Sequence, residues 1–155
     1  MPSSKKAAAS AAQAAQRERF RRAHEYASKV LTDPLARAVY ARLGRERGKP
    51  SNILLASNYL NPPEIQLVDV DGYHGGVGEP IRVAAYDAIE VVAVRVSIRT
   101  GDGQPVESGD ATSDHGVWTY RTTAAVPAGT SWQVEIVASN RAEQTDRVVR
   151  IHPLA

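Results

Sequence analysis

A chain of 155 residues, 43% of them hydrophobic, is one ordinary domain or one small domain with an appendage. It contains no cysteine, which excludes disulfides, thiolate metal sites and a cysteine nucleophile, leaves the redox compartment open and makes packing the source of stability. The net charge of +2 conceals a division: residues 1–50 hold twelve Lys/Arg against four Asp/Glu, and residues 51–155 hold seven against thirteen, so +8 is followed by −6. Such asymmetry suits a basic arm that meets an anionic partner, or two parts of one protein or of neighbouring copies that attract each other.

No run of about 18 apolar residues occurs, and "MPSSKKAAASAAQAAQRERF" lacks the leucine- or valine-rich stretch of a secretory signal. The simplest address is cytoplasmic, with export by a route that uses no cleaved signal left open. Residues 1–16 are Ala/Ser-rich, led by Lys5 and Lys6, with high helix propensity but almost nothing large to bury. They are expected to form a basic tail, frayed or disordered.

A helical segment is expected over 17–61. Phe20, Ala23, Ala27, Val30 and Leu31 recur at three- and four-residue steps and predict an amphipathic helix over 17–31. Thr32 or Asp33 can cap a second helix over 34–43, with Pro34 in its first turn, Leu35, Val39 and Leu43 as its buried face and Gly44 as its left-handed stop. A third helix over 50–60 carries Ile53, Leu54 and Leu60 and must end at Asn61, because Pro62 and Pro63 follow. The double proline marks the boundary to a second domain over 62–155.

Beyond it the period changes from 3.6 to 2. "VVAVRVSIR" at 91–99 places Val92, Val94, Val96 and Ile98 on one face, and "SWQVEIVAS" does the same for Trp132, Val134, Ile136 and Ala138. Further strands are predicted at 64–71, 81–86, 105–108, 116–122 and 145–152, between turn clusters such as "GDGQP" and "PAGT". Seven short strands at this spacing predict an antiparallel two-sheet sandwich. The fold class is mainly β with an N-terminal α-helical segment.

The run "GVWTYRTTAAVPAGTSWQVEIVASNRAEQ", residues 116–144, resembles the latter half of bacterial immunoglobulin-like modules, in which a Gly-x-Trp-x-Tyr strand leads through a Gly turn into a long alternating strand. The resemblance covers about the last 90 residues and implies an immunoglobulin-like sandwich with Trp118, Tyr120 and Trp132 in or beside its core. Members often carry Asp-x-Ala-Gly-Asn in the following loop; Ser139, Asn140, Arg141, Ala142 and Glu143 stand here without the acidic residue and the glycine, which argues against calcium in that loop. A smaller likeness lies at 25–48, where "EYASKVLTDPLARAVYARLGRERG" is similar to the last two helices of J-domain co-chaperones. Those proteins act through a His-Pro-Asp loop, and no such tripeptide occurs in this chain, so their activity is not implied.

Residues able to carry chemistry are few. His24, His74, His115 and His152 fall in different predicted elements without ligand spacing. Asp69, Asp71 and Gly72 begin like a calcium loop, but Tyr73, His74 and two glycines interrupt the ligand series. The stretch "GDATSDHG", 109–116, holds Asp110, Thr112, Ser113, Asp114 and His115 in one short loop, too close together for convergent catalysis, and reads as a polar turn. "GGVGEP", 75–80, lacks the Lys-Ser/Thr ending of a phosphate loop and reads as a turn.

The basic segment alone has functional reach. Lys5, Lys6, Arg17, Arg19, Arg21 and Arg22 are the expected binding residues, with no catalytic residue, metal or cofactor expected. The expected function is a non-enzymatic structural or interaction module whose arm contacts protein, including other copies of itself. The alternative is a salt-dependent grip on nucleic acid or an anionic surface.

Overall fold

The computed structural model describes residues 4–152, with side chains from Ser10 onward. The chain divides at the double proline into two compact units, Met1–Asn61 and Pro62–Ala155. The first holds three helices, α1 (Ser4–Val30), α2 (Pro34–Arg47) and α3 (Ser51–Leu60). No described helix is long and apolar enough to cross a membrane.

Helix α1 begins at Ser4 instead of Arg17, so the stretch expected to be a tail continues the helix. Alanine has the highest helix propensity of any residue, and a run of it extends a helix that packing has already nucleated further along. The packed part is the second half, where Ala23 and Ala27 are completely buried and Tyr26 stacks at a tilt on Tyr59 of α3, with ring centroids 4.9 Å apart. Thr32 and Asp33 divide the junction between them. The Thr32 hydroxyl donates to the Lys29 carbonyl at the end of α1, and the Asp33 carboxylate accepts from the Leu35 amide at 2.9 Å to cap α2.

Two expectations for α2 are corrected. Leu35 is 77% exposed, because the face turned to α3 is the neighbouring stripe of Tyr40, Leu43 and Gly44. Gly44 is not the stop either: the helix continues to Arg47, and Gly48, at φ +65°, is the left-handed cap. Gly44 is required for another reason. A Cβ there would collide with the Lys49 carbonyl oxygen where the chain turns back towards α3.

The second unit contains eight strands: β1 (Glu64–Asp69), β2 (Pro80–Tyr86), β3 (Val91–Thr100), β4 (Pro105–Asp110), β5 (Thr112–Asp114), β6 (Val117–Arg121), β7 (Trp132–Asn140) and β8 (Thr145–His152). They form two antiparallel sheets, in the orders β1-β2-β6-β5 and β4-β3-β7-β8. The strand beyond the seven expected is β5, inside the stretch read as a turn. The real turn is only His115–Gly116, both at positive φ, as a two-residue hairpin loop requires. Between β4 and β5 the buried Ala111 donates its amide to the Val94 carbonyl, and there the chain leaves one sheet for the other.

Ile81, Val83 and Tyr120 of the first sheet meet Val94, Val96, Ile98, Val134, Ile136 and Ala138 of the second in one core, with Trp118 half-buried at its side. Val92 is the exception to the expected face. A bulge between Val91 and Ala93 shifts the alternation by one, so Val92 is exposed and Val91 packs on the core. Trp132 closes one end, tilted against Tyr73 and stacked on His152 with centroids 4.9 Å apart. Glu107 of β4 holds the sheets together at one side, accepting from the Tyr120 hydroxyl at 2.6 Å and from the amides of Thr123 and Ala124. Burial acts to raise its pKa, but these donors outweigh it and leave it below the usual glutamate value.

Tyr73 is 2% exposed, and its hydroxyl has no hydrogen-bond partner among the described residues. Burial, reinforced by the Glu107 and Glu79 carboxylates, pushes its pKa up to about 12 from an ordinary 10.0. Tyr73→Phe is therefore expected to stabilise the sandwich by about 1 kcal/mol at neutral pH, read as a higher denaturation midpoint. Because the folded-state pKa is the higher one, the Tyr73 contribution is constant below pH 10 and is lost as pH rises towards 12; the variant should unfold less steeply in that window, keeping only the Tyr120 part, whose pKa burial likewise pushes up to about 12. Glu143 sits at φ +59° in the β7–β8 turn. Glu143→Gly is expected to raise stability by about 1 kcal/mol in chemical denaturation, since glycine alone occupies that region without strain.

Candidate interaction surface

The basic residues of α1 do not form one patch. Glu18, Arg21, Arg22 and Glu25 share one face through i,i+3 and i,i+4 spacings and form an ion-pair network. Glu18 accepts from Arg21 at 2.5 and 2.9 Å and from Arg22 at 3.1 Å, and Arg21 also pairs with Glu25. Hydrogen bonds from the two guanidinium groups hold the Glu18 pKa down at about 2, and Glu18 in turn raises that of Arg21. Arg17 and Arg19 are exposed and make no ion pair among the described residues. The side chains of Lys5 and Lys6 lie outside the described residues.

Arg19 faces a groove of about 410 Å³ between α1 and α3. Its apolar lining comes from Phe20 on one helix and Ile53 and Leu60 on the other; Phe20 is 46% and Ile53 45% exposed. Gln16, Arg19 and His24 supply the polar lining from α1. The groove has a simple origin. Where α1 presents Ala23 and Ala27 the helices close on each other, and where the same stripe continues to Phe20 and Gln16 the contact opens.

The stretches singled out for chemistry are accounted for locally. In the glycine-rich turn, Glu79 accepts from the amides of His74 at 2.6 Å and Gly76 at 3.0 Å, so a carboxylate of the same chain occupies the amide cradle. Those two bonds hold the Glu79 pKa below its ordinary value. Asp69 accepts from the Asp71 amide and closes a turn. Asp114 and His115 pair at 2.5 Å in full solvent exposure, while Asp110, Thr112 and Asp114 line a depression of about 460 Å³ with Arg121. Ser113, between Thr112 and Asp114 on β5, alternates to the opposite side of the sheet, away from Asp114. His24 lies on α1 and His152 on β8, His74 and His115 fall in two separate turns, and among the described residues no three His, Asp or Glu converge as metal ligands would.

The sequence matches no known protein-family model and no curated protein.

The groove itself was not legible in the sequence, because Phe20, Ile53 and Leu60 all belong to stripes that read as buried. Only the thinness of the α1 stripe, two alanines behind one phenylalanine, signals a contact that small side chains cannot fill.

The pairing of Arg21 and Arg22 gives a direct test. Glu18→Gln should free Arg22 and leave Arg21 with Glu25 alone, so that the variant elutes from a cation exchanger at higher salt than removal of one unpaired carboxylate elsewhere produces, Glu143→Gln serving as control. Equal shifts would mean that the network does not hold in solution. Since the Glu18 pKa is depressed, whatever the network contributes is complete above pH 4.5 and is lost as pH falls through about 2.

Proposed function

We propose that this chain is a non-enzymatic interaction module, an immunoglobulin-like sandwich that self-associates through its basic N-terminal helical unit. The strand orders support the immunoglobulin-like reading: β1-β2-β6-β5 against β4-β3-β7-β8 corresponds to strands A-B-E-D against C′-C-F-G taken in chain order. The chain departs from antibody domains in having no cysteine to bridge the sheets.

The observation that carries the functional reading is the α1/α3 groove, which combines exposed apolar side chains with the cation of Arg19. Exposed aromatic and aliphatic groups beside an unpaired arginine are the composition of protein-binding hot spots. Residues 1–61 carry +8 and residues 62–155 carry −6, so each copy offers another a surface of opposite sign. Binding of nucleic acid or an anionic surface by the same arm is the competing reading. The pairing of Arg21 and Arg22 with Glu18 and Glu25 counts against it, because a guanidinium already neutralised by its own helix displaces few counterions.

The native mass of the full chain, measured at low and high salt after nuclease treatment, tests this. The expected result is an assembly larger than the monomer that survives nuclease and is weakened only in part by salt, because the apolar contribution is not screened. A monomer that co-purifies with nucleic acid and releases it in high salt would establish the competing reading instead.

A further inference from the structure

Resting on the reading of the chain as a self-associating module, we infer that the α1/α3 groove of one copy receives Tyr86 of a second copy, with Glu64 of that copy set against Arg19. Tyr86 ends β2 with 56% of its surface exposed, on the outer face of the first sheet. Glu64 lies opposite it in the β1–β2 ladder. Residues paired in this way hold their side chains within about 4.5–5.5 Å on one face, so the aromatic knob and the carboxylate present themselves together. Glu64 makes no ion pair among the described residues, and neither does Arg19.

The match is chemical as well as electrostatic. A tyrosine entering the groove would place its ring on Phe20, Ile53 and Leu60 and its hydroxyl among the polar groups of Gln16 and His24, the partner that a buried phenol needs. Arg19 can pair with the carboxylate and lie over the ring face at the same time. The apolar face continues past Tyr86 along the same side of the sheet to Ala84 and the 65% exposed Leu67, which widens the contact beyond one side chain.

Other exposed apolar groups fit less well. Ile151 on β8 lies opposite Gln133, and Glu135 of that strand is already paired with Arg147, so no free carboxylate there meets Arg19; Leu35 lies beside Arg37 on the basic helical unit and would bring positive charge towards Arg19. Groove and knob are different surfaces, so one contact between two copies leaves the pair with one free groove and one free knob; unless these two close on each other across a two-fold axis, they remain open to further copies. Growth from the open pair is head-to-tail, into a ring or an open chain.

The test uses two full-length variants, Phe20→Asp in the groove and Tyr86→Asp on the knob, both at exposed positions, with circular dichroism to check the fold. Each alone should weaken self-association at least about tenfold in sedimentation over a concentration series. An equimolar mixture should recover association, but only to dimers, since one intact groove and one intact knob remain per pair. Arg19→Glu should weaken assembly of the chain and be rescued by mixing with Glu64→Arg, which covers the case in which an aspartate variant fails to fold. Assembly of the wild-type chain that is untouched by Tyr86→Asp, or a mixture that stays monomeric, would overturn this inference and leave self-association standing. A wild-type chain that is monomeric at every concentration and salt would overturn both.

Discussion

The ladder between β3 and β7 runs along the whole of both strands, and each of these strands is interior to its sheet. Their inward side chains consequently have no solvent to turn to. Val94, Val96 and Ile98 on one strand and Val134, Ile136 and Ala138 on the other are all essentially inaccessible, and the first sheet is held by what it can lay over them, chiefly Ile81 and Val83. A one-residue slip of this ladder would turn Arg95, Arg99 and Glu135 inward, a cost no other contact in the sandwich could offset. Register is therefore fixed here first, and the edges adapt: β3 relieves its end with a bulge at Val91–Ala93 and another beside Ile98.

The two sheets also need a connection that apolar contact cannot provide, since a hydrophobic core is indifferent to small sliding. Glu107 supplies direction, reaching from β4 to the Tyr120 hydroxyl and to two amides beyond β6. At the opposite edges, the Asp146 carboxylate of β8 accepts from the Ile65 amide of β1 at 2.8 Å. Ala111 adds a third constraint, because the chain crosses from sheet to sheet there through a single buried residue too small to obstruct either layer. Charge-assisted bonds at the periphery are strong when their geometry is fixed by a rigid core, and here the core comes first.

The helical unit follows a different economy of side chains. Its close contact is made by alanines, which let α1 and α3 approach but bury little area, so most of what holds the unit comes from Leu54, Leu55, Tyr40 and the Tyr26–Tyr59 pair. The consequence is a surface that is apolar where the alanines give way to Phe20, with the cation of Arg19 at its side. Arg21 and Arg22 of α1 are neutralised within the helix, and among the described residues Arg17, Arg19 and Lys29 of that helix make no ion pair. Local ion pairing thus selects which cations are available to a partner.

By itself the sequence determined those features that depend on neighbours along the chain. The period of 2 in "VVAVRVSIR" and "SWQVEIVAS" and the Asp33-Pro34 helix start are local signals generated by backbone geometry, and they appear where they were read except at Val92, where the bulge moves the alternation; the units divide at the double proline. What only the tertiary structure decided was which of two neighbouring stripes is buried and which glycine ends a helix. Leu35 was left outside when α2 turned Tyr40 to α3, and Gly44 was needed for the return of Lys49, leaving the cap to Gly48. The strand β5 was invisible because three polar residues form a strand only when β6 is there to pair with them. The division of the six basic residues was likewise beyond the sequence: whether an arginine faces a glutamate or a groove depends on where the packed face of α1 falls, and Ala23 and Ala27 fixed that face only by meeting α3.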